Sequence, residues 1–238
     1  MFLKNRFIRS ATALGMADKN GFFTLNLMHH ILELVYGGVG LIISGHISVH
    51  RSGQNSAYPM CIYNKSQVAC LVKLVEKVHE KSGKIVAQLN HGGAHSNPPG
   101  YEGKLLSSSV NDKTGFNCKA MEYDDMSMII SAFREAAARV KRAGFDGVQL
   151  HAAHGYLLSQ FLSPLYNTRN DEYGGSAENR ARFVVEIYKA VRDAVGSDYP
   201  VMIKMNVTDF LEGETSLEDA LIFASIFDEV GFDARAHY

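Results

Sequence analysis

The sequence lacks most of the features that would announce a function outright. Cys61, Cys70 and Cys118 are few and odd in number, and no two have zinc-ligand or iron–sulfur spacing, so they read as reduced structural thiols. No stretch approaches the run of about eighteen apolar residues that a membrane span requires, and Met1-Phe2-Leu3-Lys4-Asn5-Arg6 has no apolar signal core. There is no excess of one charge either. A formal net charge of -1, with Lys and Arg scattered, offers no footprint for nucleic acid or an acidic membrane surface. The Gly-x-Gly-x-x-Gly that would follow the first strand of an open dinucleotide-binding sheet is missing too. The cytoplasm is the expected location, and a small molecule the expected partner.

What is present is a regular alternation. The 238 residues, 46% of them hydrophobic, suit one domain with a sizeable core. Apolar runs at 7–12, 39–45, 84–90, up to His151, and 200–206 read as strands, and the lack of polar alternation is that of parallel strands covered on both faces. Between them lie helical periods, from Leu25 to Gly37, from Ser66, from Asp124 or Asp125, from Ser176 and from Ser216. Gly83 suits the left-handed residue ending the second helix, and Gly144, Gly196 and Gly231 close the next three. No hairpin signal interrupts the order, so the sheet is parallel, either a closed barrel or an open doubly wound sheet. The barrel is favoured because Gln88, His151 and Lys204 with Asn206 fall at the carboxyl ends of three different strands, where a (β/α)₈ barrel assembles its site. Five strand–helix units are readable with Phe232 to Tyr238 left over, about five to six units in all, against the eight that a full barrel of about 250 residues needs. The expectation is a single partial barrel domain over 1–238, lacking carboxyl-terminal units.

The chemistry concentrates in His151-Ala-Ala-His154-Gly-Tyr156. His151 and His154 have the spacing of metal ligands on a helical turn, but no His-Glu-x-x-His and no acidic third ligand accompanies them. They also read as a structural hydrogen-bonded pair, or as two N–H donors polarising a carbonyl or nitro oxygen, with Tyr156 as a proton source. Gln88 can donate and accept at the edge of a flat heterocycle, or satisfy neighbouring backbone. Lys204, within Val201-Met202-Ile203-Lys204-Met205, is either a counter-charge for an anionic ligand or a strand-end lysine reaching solvent. Asp171 to Arg180 reads as a shaped structural loop, with Arg169 or Arg180 pairing with carboxylates.

The stretch from His151 through Gln160-Phe161-Leu162-Ser163-Pro164 to Asn167-Thr-Arg169-Asn-Asp171-Glu172-Tyr173-Gly174-Gly175-Ser176-Ala-Glu178-Asn179-Arg180 resembles the signature of the old yellow enzyme family of NAD(P)H:flavin oxidoreductases. Lys4-Asn5-Arg6-Phe7, Arg9-Ser10-Ala11-Thr12, Leu41-Ile42-Ile43-Ser44-Gly45 and Ala87-Gln88-Leu89-Asn90-His91-Gly92-Gly93 extend the likeness over nearly the whole chain. The resemblance implies a TIM barrel holding FMN, reduced by NADH or NADPH, which passes hydride to the β-carbon of an activated alkene. It implies that His151 and His154 bind the oxygen of the electron-withdrawing group and that Tyr156 protonates the α-carbon. By the same likeness Ser10, Ala11, Thr12 and Ala13 run along the flavin with His46 close by. Gln88 meets its pyrimidine edge, and Lys204 stands where the family has a basic residue beside N1 and O2. No resident metal is implied, and a homo-oligomer is left open. Arg9-Ser10-Ala11-Thr12-Ala13 departs from the proline–methionine pattern of well-known members. The strands that supply the family's phosphate site are expected beyond Tyr238, which allows the alternative of an inactive barrel piece that binds no FMN. No iron–sulfur cysteine cluster follows, so nothing here points to the larger dienoyl-CoA reductase-type architecture.

Overall fold

A computed structural model describes residues 1–110, 117–208, 213 and 215–237. The elements run β1 (Ile8–Arg9), α1 (Leu25–Tyr36), β2 (Leu41–Ser48), β3 (Met60–Cys61), α2 (Val68–Glu80), β4 (Ile85–Asn90), β5 (Leu105–Ser107), β6 (Cys118–Ala120), α3 (Tyr123–Arg142), β7 (Gly147–Ala152), α4 (Leu157–Leu162), α5 (Ala177–Val195), β8 (Val201–Met205), α6 (Leu217–Glu229) and β9 (Ala234–His237). The main sheet is ordered β1-β2-β4-β7-β8-β9, with β3 added beside β2, and every pairing in it is parallel. Among the described residues it is an incomplete barrel with six strands along its wall.

Each strand sorts its residues by parity. Ile42, Ile47, Ile85, Ala87, Leu89, Val148, Leu150, Val201 and Ile203 join the large core between sheet and helices. Residues of the opposite parity face the lumen, where Leu41, Ile43 and Val86 form a small apolar cluster with Met202 against it. That lumen opens into a trough of about 400 Å³ whose wall includes Ser10, Gln149, Met202, Ala234 and Ala236. The helices supply matching stripes. In α3, Met126, Ile129, Phe133, Ala137 and Val140 are buried at helical spacing, and in α5 Phe183, Val184, Ile187 and Val191 are. Phe161 meets Phe183 at 4.2 Å between ring centroids, and burying each such ring stabilises the fold by roughly 1.5–3 kcal/mol.

Several local details differ from the sequence reading. The second helix is entered through a 3₁₀ turn capped by Asn64, not Ser66, because Asn64 and Gln67 satisfy each other's backbone N–H groups in a capping box. Glu122 caps α3, with Asp125 as its box partner. The left-handed residue after α2 is Ser82 (φ 55°) rather than Gly83, where a Cβ would instead come within 2.9 Å of Val78. The first strand is only two residues long. Most consequentially, Ala234–His237, left outside the five units read in full, forms a sixth wall strand, within the five to six units expected. Ser176 and Ser216 cap α5 and α6 as expected, and Gly144, Gly196 and Gly231 have positive φ.

Asp146 and Asp233 fix the register. Each precedes a strand and bonds reciprocally with the first residue of the strand before it. Ile85 donates to Asp146 Oδ2 at 2.9 Å and Val201 to Asp233 Oδ2 at 2.8 Å, while the aspartate N–H groups return to the carbonyls of Ile85 and Val201.

Candidate functional site

The lumen turns polar toward the carboxyl ends of the strands. Gln88 and Gln149 are register partners on β4 and β7, and Gln88 Nε2 donates to Gln149 Oε1 at 2.8 Å. Two residues on, His151 stands opposite Lys204 on β8. His46 is the register partner of Gln88 on the other side, past an irregularity in β2, and its Nε2 is 2.8 Å from Asn55 Oδ1. Period-two alternation therefore brings Gln88, Gln149, His151 and Lys204 to one face. Gln149 is the member that the sequence reading overlooked; lying two residues before His151, it was legible from parity alone.

Beyond β7 the chain takes a turn that few sequences tolerate. His154 has φ 62° and Gly155 φ 69°, two successive left-handed residues, the first of them not glycine and so strained by about 1–3 kcal/mol. The strain is held by Asn206, just past β8, whose Oδ1 accepts the His154 N–H at 3.1 Å. The turn returns Tyr156 over the strand end, where it caps α4. Gln160 of α4 is fully buried and staples two loops: its Nε2 donates to the Gly155 carbonyl at 2.6 Å and its Oε1 accepts from the Ala94 N–H at 3.1 Å.

The result is a phenol ringed by imidazoles. Tyr156 lies 5.2 Å from His151, 5.9 Å from His46, 6.2 Å from His95 and 6.4 Å from His154, measured between ring centroids. His151 and His154 are 4.9 Å apart and perpendicular. His151 is only 3% exposed, and its Nδ1 is buried without a hydrogen-bond partner among the described residues. Burial above all, then the neighbouring His154, His46 and Lys204, holds its pKa well below that of a free imidazole. It is a neutral ring with one N–H to give and one lone pair to receive. Burial likewise lowers the pKa of Lys204, which is 7% exposed, and of His46, where the bond to Asn55 opposes the shift.

Ser10, Ala11, Thr12 and Ala13 follow β1. Arg9 donates to Thr12 Oγ1, and the Thr12 carbonyl would lie 2.6 Å from any Cβ at Gly45, so glycine there lets this loop close on β2. Ser10 and Ala13 are both exposed, and of the two only Ser10 lines the lumen trough. His95 and Tyr166 are further members that the sequence did not single out: His95 Nε2 and Tyr166 Oη are 2.9 Å apart, and His95 meets Tyr156 edge-on. Arg169 and Arg180 pair with Asp171 and Asp219, which makes the 171–180 loop structural. Among the described residues no group of three or more His, Cys, Asp and Glu side chains is arranged to hold a metal ion, and no helix is long and apolar enough to cross a membrane.

This geometry has relatives. The profile of the NADH:flavin oxidoreductase / NADH oxidase family matches residues 1–237. The chain is 35% identical over 235 residues to an NADH oxidase of Thermoanaerobacter brockii, covering 97% of this chain and 36% of that one. It is 36% identical over 214 residues to an NADPH dehydrogenase of Clostridium acetobutylicum, covering 90% and 63%. Among solved structures it superposes on a 2-naphthoyl-CoA reductase in complex with 2-naphthoyl-CoA with a TM-score of 0.93 at 28% identity, covering 99% of this chain and 38% of that one. An old yellow enzyme homologue from Zymomonas mobilis gives a TM-score of 0.88 at 25% identity, with 99% and 69% covered. The chain thus spans about a third of the longer relatives and about two thirds of the shorter.

Proposed function

Because this chain belongs to the NADH:flavin oxidoreductase / NADH oxidase family, we propose that it is, or is part of, an FMN-dependent NAD(P)H oxidoreductase that reduces activated alkenes. On this reading residues 1–238 are one partial barrel domain, working in the cytoplasm on a small-molecule substrate. The observation that carries it is the unpartnered, buried Nδ1 of His151 beside Tyr156 and His154 at the open end of the lumen. A buried polar atom left unpaired costs about 1–3 kcal/mol, a cost that a bound ligand removes.

The residues present fit the ring end of a flavin. Gln88 and Gln149 offer amide donors and acceptors to a heterocycle edge, the buried Lys204 offers a cation, and the loop at Ser10–Ala13 closes over Gly45 beside them. Bound FMN would supply hydride, taken from NADH or NADPH. His151 and His154 hold the oxygen of a carbonyl or similar group through N–H donors, polarising the conjugated double bond. Neutrality suits His151 to this, since its N–H stabilises developing charge without competing for the proton that Tyr156 delivers to carbon.

The alternative is a chain that folds without retaining FMN. One observation favours it: among the described residues the wall has six strands with β1 and β9 at its edges, whereas barrel phosphate sites are commonly built after the seventh and eighth strands. The purified protein decides. A yellow protein bleached by NADH or NADPH without oxygen, and reoxidised by an enone, supports the enzyme. A colourless protein that fails to quench FMN fluorescence on titration selects the alternative.

A further inference from the structure

We propose that His95, held by Tyr166, is the proton supply for Tyr156, returning to it the proton that each turnover removes. The inference rests on the reading of Tyr156 as proton donor and adds a route that the reading leaves open. A phenol that protonates carbon is left as phenolate, and the next cycle waits on its reprotonation.

Among the described residues, the groups gathered around the phenol come from several elements. On β2, His46 is engaged with Asn55. From β7 and the turn after it, His151 is buried and, with His154, is committed to the substrate oxygen; Lys204 of β8 lies across from His151. His95 comes from the loop after β4. It is half-buried, edge-on to Tyr156 at 6.2 Å, and 2.9 Å from the hydroxyl of the half-buried Tyr166. His95 and Tyr166 both pack over the turn that sets Tyr156: a Cβ on Gly155 would stand 3.4 Å from His95 Nε2 and 3.3 Å from Tyr166 Oη. The backbone beside His95 is tied down, the Ala94 N–H donating to Gln160 Oε1. Burial lowers the His95 pKa, which keeps the ring neutral and able to accept at one nitrogen while giving from the other.

The step balances. Tyr166 O–H gives its proton to His95 Nε2, the His95 Nδ1–H proton passes to the Tyr156 phenolate, and Tyr166 regains a proton from water. One water-derived proton replaces the one delivered to carbon, and no electrons move. Neutral His95 must then rest as the Nδ1–H tautomer, with Tyr166 as donor.

Two measurements test this. Nitrogen-15 NMR of the histidine-labelled protein, which needs no flavin, reads the His95 tautomer: Nδ1–H is expected, and Nε2–H overturns the relay. The second compares single and multiple turnover in H95Q and Y166F. The first turnover begins with Tyr156 protonated and keeps its rate, whereas steady-state kcat falls about tenfold or more and acquires a larger solvent isotope effect. The double variant is expected to be no slower than either single one, because both interrupt one path. Equal loss in the first and later turnovers would make His95 merely structural, and unchanged kcat would also sink the proposal. If NADH and NADPH both fail to reduce bound flavin, the enzyme reading fails by itself, and the tautomer still decides whether the wire exists.

Discussion

Gln88 donates its carboxamide hydrogen to Gln149 at 2.8 Å across two strands whose register sets the residues directly opposite one another. That bond orients the Gln88 amide. In Q149L the Gln88 donor loses its partner in a buried setting, at a cost of about 1–3 kcal/mol. The expected outcome is a lower melting temperature and an FMN dissociation constant raised about tenfold by fluorescence titration. An unchanged constant would mean that Gln88 is oriented by something other than Gln149.

Tyr156→Phe keeps the ring among its four imidazole neighbours and removes only the phenolic hydroxyl. Reoxidation of the reduced flavin by an enone should slow by roughly 10²–10⁴-fold, while reduction by NADH or NADPH stays within about twofold. Stopped-flow absorbance separates the two half-reactions. Comparable losses in both would show that the tyrosine serves packing alone.

The strand–helix order and the lumen histidine were legible because both are local: parity decides a strand's faces, and caps and glycines mark helix ends. The sixth wall strand was written in the same way, though its residues were read only as a remainder. Gly231-Phe232-Asp233 repeats Gly144-Phe145-Asp146, a left-handed glycine, a core phenylalanine and a register-setting aspartate before a strand. Ser82 instead of Gly83 escaped notice because tight packing of Gly83 against Val78 and Val35 moves the left-handed position by one residue. The His95–Tyr166 contact was out of reach for another reason. The two residues are 71 apart, and only the folding of two loops over Gly155 joins them.

Acid should unfold this protein early. His91 is buried, with Nδ1 accepting from the Gly93 N–H and Nε2 paired with Ser52 Oγ, and burial with the nearby His50 pushes its pKa down to about 3. The unfolded chain takes up a proton near pH 6.5 that the folded one refuses, so stability is full above 6.5 and falls toward pH 3, by at most about 1.4 kcal/mol per pH unit for each such histidine. His151 acts in the same direction. Asp171, whose pKa Arg169 lowers, adds its loss only below about pH 4, its unfolded range. Urea midpoints should therefore decline between pH 6.5 and 4, with a shallower slope in H91Q. A slope unchanged by that substitution would place the proton uptake elsewhere.

Lys204 offers the sharpest separation of stability from binding. The residue is 7% exposed, and burial lowers its pKa. Lys204→Met keeps most of the stem and removes the cation, and the protein without flavin should still melt cooperatively. The same change removes a charge-assisted bond, worth about 1.5–3 kcal/mol, from an anionic ligand edge, so FMN affinity should fall about 10- to 100-fold. The residual binding should also lose much of the preference for reduced over oxidised flavin, because the cation opposes the charge that reduction adds. Measuring melting temperature and both flavin affinities on one preparation decides the matter. A destabilised variant with unaltered affinity would return Lys204 to the role of a strand-end lysine whose charge serves the fold.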